Sequence, residues 1–333
     1  MTHELKGIVL QYEKRRERAV LATVVALDGS SYRRPGVRMM IFENGDMVGA
    51  VSGGCVEKEV FHQAASVFSS GHPKIMTYDG RYRLGCEGIL YILLEPFQPE
   101  PTFLEEFWGC INARKPFTIS SHFKKEHGED FDYHSLFDFT GQVLPVNGMA
   151  KKQPKGLLRF EQTMEPCFQL LILGAEHDAV QLCRMASLAG WEVTVVANPR
   201  EEKSERDFPG IHKFIQSEPE VFAHSLDRQT AVMVMTHSFV KDLQFTMSLS
   251  GERAAYYGLL GPTKRRERLL GELLERQPEV SDGFLEDIHG PAGIDIGAET
   301  PQEIAISILS EIIATVNGKQ TNSLKYKDGK IHS

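Results

Sequence analysis

Three continuous apolar runs in the second half of the chain constrain its fold most strongly. They are residues 168–174 (FQLLILG), 191–197 (WEVTVVA) and 230–236 (TAVMVMT). Runs of this length without polar alternation are typical of strands that are buried on both faces of a parallel sheet. Because parallel strands need crossover connections, which are usually helices, the runs predict a Rossmann-like α/β domain.

The segments around these runs fit the same prediction. Apolar positions recur at helical spacing in residues 177–189, 241–250 and 264–276. Residues 254–260 are expected to form a fourth strand. Thr300-Pro301-Gln302-Glu303 has the form of a capping box with proline at the first helical position, and it predicts a helix over residues 304–316. We therefore predict a Rossmann-like domain over residues 166–318 and a disordered tail over residues 319–333.

The turn after the first apolar run departs from the dinucleotide-binding fingerprint. That fingerprint has G-x-G-x-x-G after the first strand and an acid at the end of the second strand. Gly174 keeps the first position, but Glu176 replaces the second glycine, and its carboxylate adds bulk and negative charge where a pyrophosphate would approach the backbone. The second strand ends at Asn198 rather than at an acid. The sequence therefore disfavours NAD(P) binding.

Open parallel sheets nonetheless bind ligands outside the carboxyl ends of their strands. The residues that we place along this ligand edge are Gly174, Glu176, His177, His237, Lys264, Arg265 and His289. The basic stretch PTKRR at residues 262–266 would suit a phosphate or another acidic group at a helix start. The alternative is a solvated basic first turn, and each histidine taken alone is compatible with an ordinary surface or hydrogen-bonded residue.

A glycine-rich turn before a cysteine stands out in the first half of the chain. Asn44-Gly45 between apolar runs predicts a β-hairpin that leads into GAVSGGCVEKEV at residues 49–60. Cys55 is expected at or near the first turn of a helix, where free N–H groups and the macrodipole favour a thiolate. Gly53 and Gly54 would let a ligand approach the backbone beside the sulfur. The alternative is a small, buried, inert cysteine.

We predict a small N-terminal α/β domain over residues 1–100. Its helix at residues 4–18 is followed by strands, with Arg33 and Arg34 in the turn-rich loop 28–36 and Cys86 in the loop 79–87. Residues 101–165 are expected to be a connecting segment with β-hairpin material. No chemistry is assigned to that segment.

Composition excludes several classes of protein. With 333 residues, 41% hydrophobic and 25% charged, the chain has the composition of a globular protein and is long enough for two domains. A formal net charge of -8 argues against a general nucleic-acid or anionic-membrane binder. The five cysteines contain no C-x-x-C pair, so neither a disulfide framework, a local zinc site nor an iron–sulfur centre is expected. Without a signal-peptide or membrane-span pattern, the expected location is cytoplasmic.

Several sequence blocks together identify a family resemblance. They are GSSYRRPGVRMMI, GAVSGGCVEKEV, GCEGILYILLEP, LLILGAEHDAV, GLLGPTKRR and IHGPAGIDIGAETPQEIAISILSEIIA. In this order and spacing they resemble the xanthine dehydrogenase accessory family of the XdhC/CoxI type, over residues 19–96 and 168–316. The departures are Glu176 in the Rossmann turn, Asn198-Pro199 in place of an acidic pair, and Glu87 where a glycine is usual.

The resemblance implies a maturation chaperone rather than a catalyst. Members of this kind bind the molybdenum cofactor (molybdopterin) as cargo while a cysteine desulfurase supplies its sulfido ligand, and then transfer it to a molybdenum hydroxylase such as xanthine dehydrogenase. The family's glycine-cysteine turn corresponds to Gly53, Gly54 and Cys55, and its second cysteine block to Cys86. Cys55 would contact the molybdenum, and the candidates for pairing the cofactor's phosphate are Arg33, Arg34 and Arg38. We also expect a homodimer, from the apolar hairpin and the C-terminal helix.

Two other functions compete with this interpretation. One is an oxidoreductase that uses NAD(P) in the C-terminal domain, against which Glu176 and Asn198 argue. The other is a catalytic component of xanthine dehydrogenase. At 333 residues without iron–sulfur cysteine spacing, the chain lacks the electron-transfer machinery expected of such a component.

Overall fold

The computed structural model describes residues 1–29, 34–82, 88–148, 156–222 and 225–327, with the side chains of Cys55 and Tyr82 left out. The chain divides into two units, Met1–Pro166 and Cys167–Ser333. None of the helices in these described ranges is both long and apolar enough to cross a membrane.

The first unit consists of helices and antiparallel strands. In chain order its elements are α1 (Thr2–Arg15), β1 (Ala19–Gly29), β2 (Arg38–Phe42), β3 (Met47–Gly49), α2 (Cys55–Ser70), β4 (Lys74–Asp79), β5 (Gly88–Phe97), α3 (Pro101–Asn112), β6 (Phe117–Phe123), β7 (Gly128–Glu129), β8 (His134–Phe139), β9 (Gln142–Pro145) and β10 (Leu158–Met164). The hairpin at Asn44-Gly45 and the helix that begins at Cys55 agree with the sequence pattern.

Two sheets form the framework of this unit. The first has the strand order β3-β2-β1-β5-β4-β7 and the second the order β10-β6-β8-β9. Alternate residues of β1 point to opposite faces: Val20 and Val24 join a core cluster with α2, whereas Leu21 joins a cluster with α1, α3 and the second sheet. The central strand β1 is therefore buried on both faces.

Residues 101–165 contribute more structure than the predicted connecting segment with hairpin material. They supply α3 and all four strands of the second sheet, and β7 extends the first sheet beside β4. Phe103, Phe107 and Phe137 of this segment are almost completely buried in the same cluster as Leu21. This segment is therefore part of the core of the first unit.

The second unit contains the expected parallel sheet. Its elements are β11 (Gln169–Leu173), α4 (His177–Leu188), β12 (Glu192–Ala197), β13 (Lys213–Gln216), β14 (Thr230–Val234), α5 (Phe239–Leu249), β15 (Tyr256–Leu259), α6 (Thr263–Arg276), α7 (Asp282–Glu286), β16 (Ile288–His289) and α8 (Pro301–Val316). The strand order is β13-β12-β11-β14-β15-β16, all parallel. The prediction of a Rossmann-like domain is confirmed.

Helices cover both faces of this sheet. One core cluster joins β11 and β12 to α4 and α8, and the other joins β14 and β15 to α5, α6 and α7. The strand order reverses between β11 and β14, which is the point where ligands usually bind in such sheets. After α8, a short 3-10 turn occupies Leu324–Tyr326, and residues 328–333 of the predicted tail lie outside the described residues.

Candidate functional site

The glycine-cysteine turn forms the start of helix α2. The helix begins at Cys55, and Gly54 is its N-cap with φ 123°, a conformation that glycine adopts at much lower cost than other residues. Cys55 is thus the first residue of the helix, as predicted. Backbone N–H groups without intrahelical partners and the positive end of the macrodipole lie at this position.

Glu57 holds the turn in place. Its carboxylate accepts hydrogen bonds from the Ser52 N–H (2.7 Å), the Ser52 hydroxyl (2.7 Å) and the Gly54 N–H (2.8 Å). Burial would raise the pKa of this carboxyl, but the bonds from Ser52 and Gly54 outweigh burial and lower the pKa. This role was not predicted from the sequence, although the spacing of Gly54 and Glu57 is that of a capping box.

The two glycines face open space. Both are exposed, and apart from its chain neighbours a Cβ atom placed on either one would meet no atom of the described residues within 4 Å. The φ of Gly54 requires glycine, whereas Gly53 has neither a positive φ nor a close neighbour that would explain it. A ligand or partner can therefore approach the backbone at Gly53 without displacing a side chain in the described part of the unit.

The strand register brings the flanks of two candidate loops to one end of the first sheet. Gly29, which precedes the segment with Arg33, pairs with Gly88, which follows the segment with Cys86. Arg33 and Cys86 themselves lie outside the described residues. Asp79, before the second loop, pairs with Ile89 at the same end.

Helix α2 starts toward that same end. It packs across β1, β5 and β4, and its last turn lies at the opposite end of the sheet, where Phe68 lines a cavity of about 300 Å³ with Ala19 and Phe97. Strand β4, which follows α2, runs back from there, with Lys74 opposite Leu94. The backbone therefore directs Cys55 and the described flanks of both candidate loops to one end of the unit.

The arginines predicted to meet a phosphate occupy different environments. Arg34 is exposed. Arg38 is only 6% exposed, and its Nη1 donates to the Gly36 carbonyl (2.9 Å) and to Gln162 Oε1 (2.7 Å). Burial lowers the pKa of Arg38 to about 10, against the opposing field of Glu95. Arg38 therefore serves the interior of the unit rather than a surface that a ligand can reach.

Packing explains the glycine of the Rossmann turn. Gly174 has φ 129°, and a Cβ atom there would lie 2.4 Å from the Met235 carbonyl oxygen on the neighbouring strand. Glu176 is the exposed N-cap of α4, and His177 is the first residue of that helix and is also exposed. Gly174 is thus required by the fold, and neither Glu176 nor His177 supports a dinucleotide site.

His237 lies beside α4 at the point where the strand order reverses. Its φ of 58° is uncommon for a residue other than glycine, and its Nε2 lies 3.6 Å from Asp178 Oδ2. Asp178 is in the first turn of α4 and is half-buried. The pair occupies the expected ligand edge, although Asp178 was not among the predicted site residues.

Lys264 and Arg265, the neighbouring cations of the predicted basic turn, differ in their contacts. Arg265 Nη2 donates to Asp242 Oδ2 at 2.5 Å, and the side chain of Asp242 is 1% exposed. Asp242 also accepts hydrogen bonds from the N–H (3.0 Å) and hydroxyl (2.6 Å) of Thr236. Lys264 is exposed and makes no ion pair with the described residues. Arg265 is therefore a structural residue, whereas Lys264 remains available to a ligand.

His289 belongs to a separate cluster. Its Nδ1 lies 3.1 Å from Glu311 Oε1, and its ring stacks on Tyr256 at 4.5 Å between centroids. The Glu311 carboxylate also accepts from the Tyr256 hydroxyl (2.6 Å) and the Gly293 N–H (2.7 Å). Within the described parts of the chain, no group of three or more His, Cys, Asp or Glu side chains could hold a metal ion. The three histidines thus do not form a metal site there.

Comparisons with known families place both units in one group. A family model described as the XdhC and CoxI family matches residues 13–79, and one described as the XdhC Rossmann domain matches residues 170–312. Each match covers a region where the sequence blocks of the resemblance are found.

Similar proteins match across nearly the whole chain. A relative from Bacillus subtilis, named as a probable xanthine dehydrogenase subunit, is 30% identical over 319 residues, which cover 90% of this chain and 93% of the relative. The molybdenum cofactor insertion chaperone PaoD of Escherichia coli is 24% identical over 302 residues, covering 88% of this chain and 82% of the relative. A crystal structure described as a xanthine dehydrogenase from Bacillus halodurans is 25% identical and matches with a TM-score of 0.79, covering 95% of this chain and 97% of the other.

Proposed function

Because this chain belongs to the XdhC and CoxI family, we propose that it is a maturation factor for the molybdenum cofactor of a xanthine dehydrogenase-type hydroxylase. It binds the cofactor as cargo, protects it during sulfuration and transfers it to the hydroxylase. The name of the similar chaperone PaoD, which refers to insertion of this cofactor, supports a carrier role.

The cofactor site of this proposal is the end of the first unit where α2 begins. The observation that carries it is the open Gly53-Gly54 turn at the helix start, directed to the same end as the flanks Gly29 and Gly88 of the two candidate loops. A thiolate at Cys55, with Cys86, is a soft ligand that suits molybdenum and sulfur. Arg33 and Arg34 would pair the cofactor's phosphate.

The chain's own residues would act by binding and orientation. Bound cofactor would supply the molybdenum centre that the hydroxylase later uses. The helix start stabilises negative charge near Cys55, and Glu57 fixes the turn that presents it. Arg38 is left out of the contacts in this proposal because its guanidinium is buried and bonded to Gly36 and Gln162.

Two partners complete the proposal. A cysteine desulfurase would supply sulfur while the cofactor is held, and a second copy of this chain would form a homodimer. Ile306 and Ile313, both 48% exposed on α8, support an apolar contact surface for that copy. Sedimentation of the purified chain, compared with an Ile306→Ser/Ile313→Ser variant, tests the dimer. A wild-type monomer at micromolar concentration would remove the homodimer from the proposal.

Anaerobic retention of released cofactor tests the central claim. The purified chain is mixed with the cofactor and desalted, and the retained pterin is measured for wild type, Cys55→Ala, Cys55→Ser and the control Lys58→Ala, an exposed residue one turn into the same helix. We expect both Cys55 variants to lose most of the pterin and Lys58→Ala to keep it. Equal retention by all four proteins would refute the role of Cys55, and no retention by wild type would refute the carrier function.

A further inference from the structure

A cavity of about 300 Å³ lies in the first unit, at the end of the first sheet opposite to the start of α2. Its lining comes mainly from the end of α1, the start of β1, the end of α2 and the end of β5. The volume is at the lower end of the range for small-molecule sites, so it suits a ligand of one or two rings. The cavity plays no part in the function proposed above.

The lining of this cavity is largely apolar and aromatic. Ala19 and Val20 at the start of β1 are 5% and 1% exposed. The rings of Tyr12 and Phe97 meet edge to face, with 4.8 Å between their centroids, and the half-buried Phe68 also lines the space. A flat ring can therefore be buried there against other rings.

A hydroxyl donor and a cation accompany this apolar lining. The Tyr12 hydroxyl makes no hydrogen bond with the described residues, and burial raises its pKa above the ordinary value of 10.0, so it is a neutral donor at physiological pH. Arg16 follows one turn later, and its backbone N–H donates to the Tyr12 carbonyl at 2.8 Å. Its exposed side chain makes no ion pair within the described parts of the chain. A guanidinium beside a hydroxyl suits a carboxylate or a similar anion.

The other polar residues of the lining have different roles. Arg18 is already engaged, because its Nη1 donates to Glu43 Oε1 at 2.6 Å and its Nη2 donates to the Phe68 carbonyl. Asn147 is only 8% exposed, so its amide adds a buried polar group to the lining. Glu17 is the one carboxylate among the described residues that line the cavity. An anion would therefore meet the side chain of Arg16 and be repelled by that of Glu17.

We propose that this cavity binds a small planar aromatic anion, with its ring against Tyr12 and Phe97 and its charged group at Arg16. The first unit then has a second ligand site, at the end of the sheet away from Cys55. This site does not depend on the carrier function, because none of its lining residues belongs to the proposed cofactor site.

Methyl NMR spectra of the full chain, titrated at constant ionic strength, test the site with benzoate as the probe. Benzyl alcohol has the same ring without the charge, and acetate has the charge without the ring. The methyl groups of Val20 and Val67 report on the cavity, and those of Val195 and Val232, buried in the second unit, are the reference. We expect benzoate to shift only the first pair, with a Kd in the millimolar range, benzyl alcohol to bind about tenfold more weakly, and acetate to cause no shift.

Charge variants test the role of Arg16. Arg16→Gln should weaken benzoate binding about tenfold and leave binding of benzyl alcohol unchanged. The matched control is Lys14→Gln, which removes an exposed cation from the last turn of α1 that does not line the cavity, and it should behave like wild type. Glu17→Gln should tighten benzoate binding about twofold, because it removes a repelling carboxylate. Equal benzoate affinity of Arg16→Gln and wild type would overturn the role of Arg16.

A ring variant tests the aromatic lining. Phe68→Leu should weaken the binding of both benzoate and benzyl alcohol severalfold, whereas Phe61→Leu, an exposed position of the same helix outside the cavity, should change neither. Three results with wild type alone would overturn the proposal, whatever the stability of the variants. They are unshifted Val20 and Val67 methyls at about 30 mM benzoate, equal shifts in the second unit, and equal affinities for benzoate and benzyl alcohol.

Discussion

The Glu57 carboxylate accepts a hydrogen bond of 2.8 Å from the backbone N–H of Gly54, and this contact joins the glycine turn to the first turn of α2. The same carboxylate binds both the N–H and the hydroxyl of Ser52. A single side chain therefore fixes the backbone on which Cys55 is presented.

Replacing Glu57 tests whether this turn must be rigid. We expect Glu57→Ala to lower the free energy of unfolding by about 1–2 kcal/mol, as for loss of a helix cap, and to reduce pterin retention, because the turn loses three hydrogen bonds. Glu57→Gln keeps one acceptor oxygen and should lose less of both. Chemical denaturation and the retention assay measure the two effects. Full retention by Glu57→Ala would show that the cap is structural only.

The pH dependence of this cap has a defined sign. The folded-state pKa of Glu57 is below its ordinary value of 4.5, so its contribution to stability is present above pH 4.5 and is lost as the pH falls through the folded-state pKa. Wild type should therefore lose more stability than Glu57→Gln between pH 5 and about pH 3. Parallel acid-side losses in the two proteins would contradict the assignment.

In the second unit, Tyr256 and Glu311 should make stability depend on pH at both extremes. Burial would raise the pKa of Glu311, but bonds from His289, Tyr256 and Gly293 outweigh it and lower the pKa below 4.5. The stability from Glu311 is thus lost in acid. Burial and the bond to Glu311 raise the pKa of Tyr256 above its ordinary value of 10.0. The stability that the Tyr256 hydroxyl contributes is therefore present below pH 10 and is lost as the pH rises further.

Two variants separate these contributions. Glu311→Ala should cost roughly 2–3 kcal/mol at pH 7, because it removes hydrogen bonds to a charged group, whereas Gln302→Ala on the exposed face of α8 should change stability by less than about 0.5 kcal/mol. Tyr256→Phe should lose less stability than wild type between pH 9 and pH 11. Denaturation curves at each pH provide the measurement, and an alkaline loss equal to that of wild type would exclude Tyr256 as its source.

Arg265 and Lys264 are adjacent cations that the structure separates by role. Arg265→Ala should destabilise the second unit by about 3 kcal/mol, because it leaves the buried Asp242 carboxylate without its cation. Lys264→Ala should change stability by less than about 0.5 kcal/mol. The Trp191 fluorescence in a Trp108→Phe background follows unfolding of this unit. Similar effects of the two substitutions would contradict the assignment of Arg265 as structural.

Local patterns made much of the fold predictable. The apolar runs predicted the bounds of β11, β12 and β14 within about two residues. A strand that is buried on both faces is apolar throughout, so it can be recognised without knowing which strands it pairs with. The helix start at Cys55 also followed from adjacent residues. In contrast, β13 is an edge strand with exposed ends, and its sequence KFIQ has no continuous apolar run.

Contacts between distant residues could not be predicted from one sequence. Arg38 looks like any other arginine until Gln162, 124 positions away, is placed beside it. Glu311 likewise becomes a hydrogen-bond centre only when α8 packs against β15 and β16. Arg265 and Lys264 could not be distinguished because the difference depends on Asp242, on another helix.

The two glycines before Cys55 offer the sharpest separation of folding from binding. Gly54→Ala should destabilise the first unit by roughly 1–2 kcal/mol, because φ 123° is strained for any residue with a Cβ atom. Gly53 has no positive φ, and beyond its chain neighbours no described residue lies within 4 Å of a Cβ atom placed there, so Gly53→Ala should keep or slightly raise the free energy of unfolding. If the cofactor approaches the backbone there, the added methyl group should nonetheless reduce pterin retention severalfold. Thermal unfolding and the desalting assay on the same samples measure the two effects. A Gly53→Ala protein that is stable and retains the cofactor fully would contradict a cofactor contact at this turn.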